Sequence, residues 1–374
     1  MIYFDNAATG GFKPRAVTDA AEMVVRYLSA NPGRSGHRLS LTGAETVFDC
    51  RQIVAELFNA SSDRVIFTKN CTEALNVAIF GTLSTGGHVI TTVFEHNSVL
   101  RPLTALSNKG LITLDVVAPS KNKSIIQAIE EKIRPETYLI ATTAVSNVTG
   151  ERLPLLEIGE IAKNINALFL VDGAQGGGHI PIDVKKMNIN MLALAGHKGL
   201  YGIMGSGVII ISDDTDVEPL IYGGTGSESF NLNQPRCYPE RLEAGTVNLP
   251  AIAALAEGVR FVKNNLKSFG DHLYSATDRL ITGLFGIQGV NVFSLPNPSG
   301  IVAFSLENKP SSEVADILNS QYDVAVRGGL HCSPLMHKYL GSDKDGLVRA
   351  SLAVQNSSRE IDYFIRAINE ISKS

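Results

Sequence analysis

Apolar residues along this chain fall into two alternating periods. Short apolar runs at 65–68, 89–93, 112–117, 138–143, 167–171 and 191–195 read as strands. Between them, 16–28, 43–58, a segment opening at Thr72, 124–133 and 155–165 read as helices. In 43–58 the stripe is Val47, Cys50, Val54 and Leu57, spaced by threes and fours, so Cys50 is expected in the core. Strands that alternate with helices predict an α/β fold with a mostly parallel, doubly wound sheet. Helices are expected at 251–264 and 272–284. From about Val290 the elements shorten: 290–294, 301–306, 312–320, 324–327, 347–352 and 358–371. That change predicts a smaller α+β domain. The expected division is a large domain over 15–250 and a small one built from 1–14 and 251–374. No internal repeat or low-complexity segment interrupts the chain.

Composition narrows the class. The chain has 374 residues, 44% hydrophobic and 19% charged, ordinary for a globular enzyme. A net charge of −4 gives no electrostatic case for nucleic acid or an anionic membrane. No apolar run has the length of a membrane span. The start, MIYFDNAATG, lacks a basic segment and a long apolar segment, so no signal peptide is read there. Four cysteines are widely spaced, without metal-type pairs, which suits free thiols in a cytoplasmic protein with no metal site.

Candidate chemistry centres on 169–211. The run 167–171 delivers Asp172, Gly173, Ala174 and Gln175. The run 191–195 delivers Gly196, His197 and Lys198. Ligands of parallel sheets bind beyond the carboxyl ends of strands. An acid and a lysine at neighbouring strand ends suit pyridoxal phosphate chemistry. The lysine forms a Schiff base, and the acid keeps the pyridine nitrogen protonated. A strand-end Asp is also a common helix cap, and most lysines are solvated. A lysine between His197 and a glycine-rich stretch without helical period, however, fits no helix surface.

VDGAQ (171–175) and GHKGLYGIMGSG (196–207) resemble the fold-type I pyridoxal phosphate enzymes of the class V aminotransferases, and specifically the cysteine desulfurases. The resemblance extends over nearly the whole chain. It implies the pyridoxal phosphate-dependent transferase fold of type I, a large domain with a mostly parallel seven-stranded sheet and a smaller α+β domain. It implies that Lys198 carries the cofactor, that Asp172 pairs with the ring nitrogen, and that Gln175 bonds the ring oxygen. It also brings His197 to the cofactor.

Other segments match in order. YFDNAAT (3–9) implies a rim with Asn6 and Ala8 near the substrate; an edge strand and loop explain it equally well. The loop 31–40 carries Arg34, His37 and Arg38, near a partner subunit's site in the family. Cys71 and Thr72 fall where the family cups the phosphate at a helix N-terminus, although an ordinary cap gives the same pattern. His96, in an E-H-x-S segment, matches a histidine that stacks on the ring and relays protons. Asn147 matches a contact to ring oxygen and substrate carboxylate; turn chemistry alone also accounts for an Asn there. Thr246, in EAGTVN (243–248), matches a threonine that reaches the partner's phosphate, which implies a homodimer.

The segment 326–341, VRGGLHCSPLMHKYLG, places Cys332 in a loop beside His331 and Arg327. Positive charge favours a thiolate, and a loop with glycines and a proline is not a core context. It matches the R-x-G-x-H-C loop whose cysteine takes the substrate's sulfur. Arg349, in LVRASLAVQNSSREID (347–362), matches a bidentate clamp on the substrate carboxylate. The departures from the pattern are Asn70, Cys71, Ala195 and Gln355.

The resemblance implies a cysteine desulfurase with catalytic Lys198, Cys332 and His96. The substrate contacts would be Asn6, Ala8, Asn147, Arg327 and Arg349. L-cysteine would become L-alanine, and the sulfur would pass to an acceptor protein. Selenocysteine lyase on L-selenocysteine, another C–S lyase, and a non-enzymatic sulfur-delivery scaffold are the alternatives. A dinucleotide-binding module lacks support, because no strand leads through G-x-G-x-x-G into a helix.

Overall fold

The computed structural model describes residues 1–33 and 35–373; Arg34, noted in the 31–40 loop, lies outside them. The strands are β1 (Ile2–Tyr3), β2 (Val65–Thr68), β3 (Gly87–Thr92), β4 (Ile112–Val117), β5 (Thr137–Thr143), β6 (Leu168–Asp172), β7 (Met191–Ala195), β8 (Gly207–Ile211), β9 (Val290–Val292), β10 (Ile301–Leu306), β11 (Val324–Ala325) and β12 (Val348–Ser351). The helices are α1 (Arg15–Tyr27), α2 (Arg38–Phe58), α3 (Cys71–Thr82), α4 (Asn97–Asn108), α5 (Ile125–Glu130), α6 (Leu155–Asn164), α7 (Leu249–Lys263), α8 (Leu266–Phe285), α9 (Ser311–Tyr322), α10 (Pro334–Leu340) and α11 (Ser358–Ile371).

Seven strands form one sheet in the order β2-β8-β7-β6-β5-β3-β4. β4, β3, β5, β6 and β7 run parallel, and β8 is antiparallel to both its neighbours. Successive strand residues face opposite sides, so a strand covered on both faces is apolar throughout. β7 shows this. Leu192 and Leu194 join the core with α2 and α6, while Met191, Ala193 and Ala195 join the core with α3 and α4. The same alternation aims Asp172 with Leu170 toward α3.

The second sheet, β12-β10-β9, is antiparallel, and β1 pairs parallel with β11. α8, α9 and α11 cover it. Phe4 is buried there, 5.5 Å from Phe364 between ring centroids. This ties the chain's start to its last helix, at roughly 2–3 kcal/mol for a buried Phe. α7 sends Ile252, Leu255 and Val259 into the large-sheet core, whereas α8 sends Leu273, Leu280 and Leu284 into the small one. α7 therefore packs with the large sheet and α8 with the small one, and the chain passes between them at Asn264 and Asn265. Among the described residues no helix is long and apolar enough to cross a membrane.

Several elements differ from the pattern. Cys50 is buried, as its stripe predicts. α2 starts five residues before position 43, because His37 caps it by accepting from the Ser40 N–H. α4 and α10 have no counterpart in the periodicity reading. Pro102 interrupts the helical signal of α4, and α10 has only seven residues.

Candidate active site

Asp172 ends β6 and Lys198 follows β7. The strands pair with Asp172 opposite Ala193, and the Gly173 N–H donates to the Ala193 carbonyl at 2.8 Å. The loops beyond touch through backbone. A Cβ on Gly178 would lie 2.1 Å from the Gly199 carbonyl oxygen, and Gly178 has φ +87°. Only glycine allows that approach.

Asp172 Oδ1 accepts from the Ala174 N–H at 2.9 Å and from the Cys71 thiol at 3.5 Å. Cys71 therefore reaches the carboxylate and not only the helix end. Burial pushes its thiol well above the usual range, and Asp172 adds to that. The Lys198 amine makes no hydrogen bond or ion pair among the described residues. Burial lowers its pKa. Arg349 and Arg327 act in the same direction, and Asp172 and Cys71 oppose them.

The Lys198 turn is held by the chain's first residues. The His197 carbonyl accepts from the Gly10 N–H at 3.0 Å and from Lys13 Nζ at 2.9 Å. His197 Nδ1 lies 3.0 Å from Thr9 Oγ1. Burial pushes His197 down to about 4, helped by Lys198 and Lys13, so its ring is neutral. Burial brings Lys13 to about 8. Nothing in the motif pattern marks Lys13, because its role depends on a contact 184 residues away.

α3 opens at Cys71, one residue before the start read from sequence. Asn70 caps it by accepting from the Glu73 N–H at 2.9 Å. The Cys71 and Thr72 N–H groups have no hydrogen-bond partner among the described residues. A helix N-terminus with free donors suits an anion. Thr72 Oγ1 lies 2.9 Å from Ser98 Oγ, which lies 2.9 Å from His96 Nδ1. The Ser98 N–H also donates to Nδ1, at 3.1 Å. Burial lowers the His96 pKa against the pull of Asp172. The ring is therefore neutral with its proton on Nε2, and the hydroxyls donate along the line Thr72, Ser98, His96. Ser98 is a site residue the motif reading passed over, although it stands inside the E-H-x-S segment.

The small domain closes the site. Arg349 is 1% exposed; Nη1 donates to the Asn147 carbonyl at 2.9 Å and Nη2 pairs with Asp5 at 3.1 Å. Its Nε is buried without a partner, as is Gln175 Oε1. Gln175 Nε2 donates to the Ala7 carbonyl at 2.8 Å. Buried orphan donors and acceptors are costly unless a ligand or water satisfies them. Arg327 and Arg349 exchange backbone hydrogen bonds at 3.2 and 2.8 Å, and Arg327 Nη2 lies 3.6 Å from Cys332 Sγ. The Asn97 N–H donates to the Cys332 carbonyl at 2.7 Å, which seats the cysteine loop beside His96.

Three of the expected residues make contacts within the chain. Asn6 has both amide hydrogens committed. Nδ2 donates to the Ser351 and Tyr3 carbonyls at 2.9 and 3.2 Å, and Oδ1 accepts from the Gly11 N–H at 3.0 Å. It shapes the rim. Ala8 donates its N–H to the Asp5 carbonyl, and it is Ala7 that meets Gln175. Thr246 is exposed; its hydroxyl accepts from Asn31 at 3.3 Å, and it lines a separate cleft with Phe67 and Lys69. Within one chain it makes no hydrogen bond to the Lys198 cluster among the described residues.

Glu95 lies beneath His96, buried. Oε1 accepts from Thr92 Oγ1 at 2.6 Å and from the Thr143 N–H at 3.0 Å, while Oε2 has no partner. Burial pushes its carboxyl from 4.5 up to about 8, and Asp172 adds to the rise. The folded-state value lies above the unfolded one. Its stabilising contribution is therefore complete below about pH 4.5 and is lost as pH rises to about 8. Glu95→Gln keeps the acceptor and removes the charge. It is expected to stabilise the fold by on the order of 3 kcal/mol near pH 9 and by little near pH 5, read by urea unfolding. A difference independent of pH would mean that Glu95 does not titrate in this window.

The Aminotransferase class-V family model matches residues 2–364. A probable cysteine desulfurase of Pyrococcus abyssi is 33% identical, over all of this chain and 95% of that protein. One from Methanothermobacter thermautotrophicus is 31% identical, over 99% of this chain and 94% of that protein. Among solved structures, the apo cysteine desulfurase of Thermococcus onnurineus NA1 superposes with a TM-score of 0.93 at 32% identity, over all of this chain and 94% of that one.

Proposed function

Because the chain belongs to the class V aminotransferase family, we propose that it is a pyridoxal phosphate-dependent cysteine desulfurase that captures sulfur on Cys332. Its fold is the type I fold of pyridoxal phosphate enzymes. One observation carries the reading: an uncommitted lysine amine, a buried carboxylate and a thiol beside an arginine converge on one site.

The residues present fit the cofactor. Lys198 would hold it. Asp172 would face the ring nitrogen, and the second Gln175 Nε2 hydrogen and the Asn147 amide would face the ring oxygen. The α3 N-terminus with Thr72 would hold the phosphate, and neutral His96 would lie against the ring. Ala195 supplies no hydroxyl, but Ser98 places one beside Thr72. When bound, the cofactor supplies an electron sink at the substrate's α-carbon.

The chain's own groups then have distinct tasks. Arg349 Nε binds the substrate carboxylate, with Asp5 and the Asn147 carbonyl fixing the guanidinium plane. Lys198 Nζ, whose pKa burial lowers, takes the α-proton. Cys332 Sγ attacks the substrate's sulfur. A sulfur–sulfur bond forms as the substrate's carbon–sulfur bond breaks, and the electron pair of that bond stays on carbon, which takes up a proton. L-cysteine plus the Cys332 thiol thus gives L-alanine plus a Cys332 persulfide, with no other oxidant or reductant. We propose further that two chains assemble through the Thr246 edge, and that an acceptor protein removes the sulfur.

The test is mass spectrometry of the enzyme after incubation with L-cysteine, with alanine assayed in parallel. A one-sulfur gain on the Cys332 peptide together with alanine is the expected result. Pyruvate, ammonia and sulfide in place of alanine, with Cys332 unmodified under rapid alkylation, would favour a C–S lyase that works by elimination. Turnover of L-selenocysteine alone would favour the selenium enzyme. For the carboxylate contact, Arg349→Lys is expected to raise KM for L-cysteine roughly tenfold to a hundredfold with a smaller fall in kcat. Steady-state kinetics checks this, and an unchanged KM would place the carboxylate elsewhere.

A further inference from the structure

We infer that Ser333 is a positioning residue for sulfur capture, acting through the Asn147 amide to hold Cys332 in reach. This rests on the reading of Cys332 as the sulfur acceptor.

The cysteine loop has an unusual backbone. His331 has φ +49° and Cys332 has φ +59°, two consecutive non-glycine residues in the left-handed region. Such residues persist only where their surroundings over-determine them. Here one side chain grips both neighbours of the cysteine. Asn147 Nδ2 donates to the His331 carbonyl at 2.8 Å, and Asn147 Oδ1 accepts from the Ser333 hydroxyl at 2.6 Å. Ser333 is 0% exposed and Asn147 is buried, so water does not replace either bond cheaply.

Ser333 also sets which way the amide faces. Its hydroxyl donates to Oδ1, so Nδ2 must turn to the His331 carbonyl. Without the hydroxyl, Oδ1 loses that partner and the amide loses its reason to hold that orientation. Each amide has two hydrogens and two lone pairs, so one of each stays available on Asn147 for a ligand. The side chain proposed to touch the ring oxygen is therefore the one that grips the nucleophile's loop.

The rear of the loop is satisfied independently. His331 Nε2 faces the Arg327 carbonyl at 3.1 Å and must carry the proton. His331 Nδ1 then accepts from His337 Nε2 at 3.3 Å, and His337 Nδ1 accepts from the Ser342 hydroxyl at 2.9 Å. The histidines support the ring of His331, whereas the Asn147–Ser333 pair fixes the peptide that carries the thiol. Loss of the Ser333 hydroxyl therefore leaves the rear contacts and the Asn97 N–H on the Cys332 carbonyl standing and loosens the Asn147 grip.

The test uses the holoenzyme and compares wild type with Ser333→Ala, Ser333→Gly and Ser333→Thr. Two steps are timed in a single turnover: the early absorbance change on mixing with L-cysteine, and persulfide formation by alkylation quench and mass spectrometry. The alanine and glycine variants are expected to retain L-cysteine binding and the early change, each affected far less than sulfur capture. They should form persulfide roughly tenfold or more slowly. Threonine, which retains the hydroxyl, should restore the rate. In enzyme without substrate, the iodoacetamide labelling rate of Cys332 should also change several-fold in the alanine and glycine variants but not in threonine. Wild-type persulfide rates in both hydroxyl-free variants would overturn the inference, as would an equal fall in both steps. Wild-type enzyme that forms no persulfide would instead overturn the desulfurase reading beneath it. If Ser333→Ala does not fold, the threonine and glycine variants decide, because threonine keeps the hydroxyl and glycine lacks it.

Discussion

Lys198→Ala is expected to lower L-cysteine turnover by on the order of 10⁴-fold, the upper range for a positioned proton-transfer group. Two losses combine in that figure. The variant has no amine to hold the cofactor covalently and no base at the end of β7. No neighbouring cation replaces its amine: Lys13 is committed to the His197 carbonyl, and Arg327 and Arg349 do not deprotonate in proteins. The fold itself should stand, because the Lys198 amine makes no hydrogen bond or ion pair that folding needs among the described residues. Borohydride reduction followed by mass spectrometry separates the two losses. Wild type should carry the cofactor's mass on the Lys198 peptide, and the variant should carry none while still binding cofactor by absorbance. Turnover in the variant within tenfold of wild type would sink the assignment.

Cys332→Ser is expected to lower alanine formation from L-cysteine by roughly three orders of magnitude, as for a nucleophile that acts as a unit with its neighbours. A hydroxyl fits the same space but does not capture sulfur. Asn97, Asn147 and Arg327 keep their places, since the first two bond backbone and Ser333 rather than the thiol. The early absorbance change with L-cysteine should therefore persist, which separates lost capture from lost binding. The control is Cys50→Ser. That thiol is buried in the large core and should cost stability without touching the early step. Full cysteine cleavage by Cys332→Ser would rule out the persulfide role.

Much of this site is legible in one sequence, for local reasons. An apolar run ends where its polar residue begins, so Asp172 and Lys198 stand at strand ends whatever the rest of the chain does. Alternation along β6 aims Asp172 toward α3. The same logic gives Cys332 a glycine-bounded loop rather than a core. α4 escaped because Pro102 breaks the signal that its apolar stripe would otherwise give.

Other parts depend on pairs that no local period encodes. Asn147 meets His331 and Ser333 across 184 and 186 residues, and Asn6 meets Ser351 across 345. Both asparagines match motifs that imply ligand contact. Their partners, though, are set by strand order and by how the small domain closes on the large one. Ser98, Lys13 and Asp5 gained their places in the same way.

The sequence by itself determined which residue types end each strand, because hydrophobic period is a property of neighbours in the chain. Only the tertiary structure decided which polar atoms remain uncommitted in the site. A hydrogen bond between distant residues exists only once packing has brought them within about 3 Å. That is why Arg349 Nε and Gln175 Oε1 stand open while both Asn6 Nδ2 hydrogens are taken.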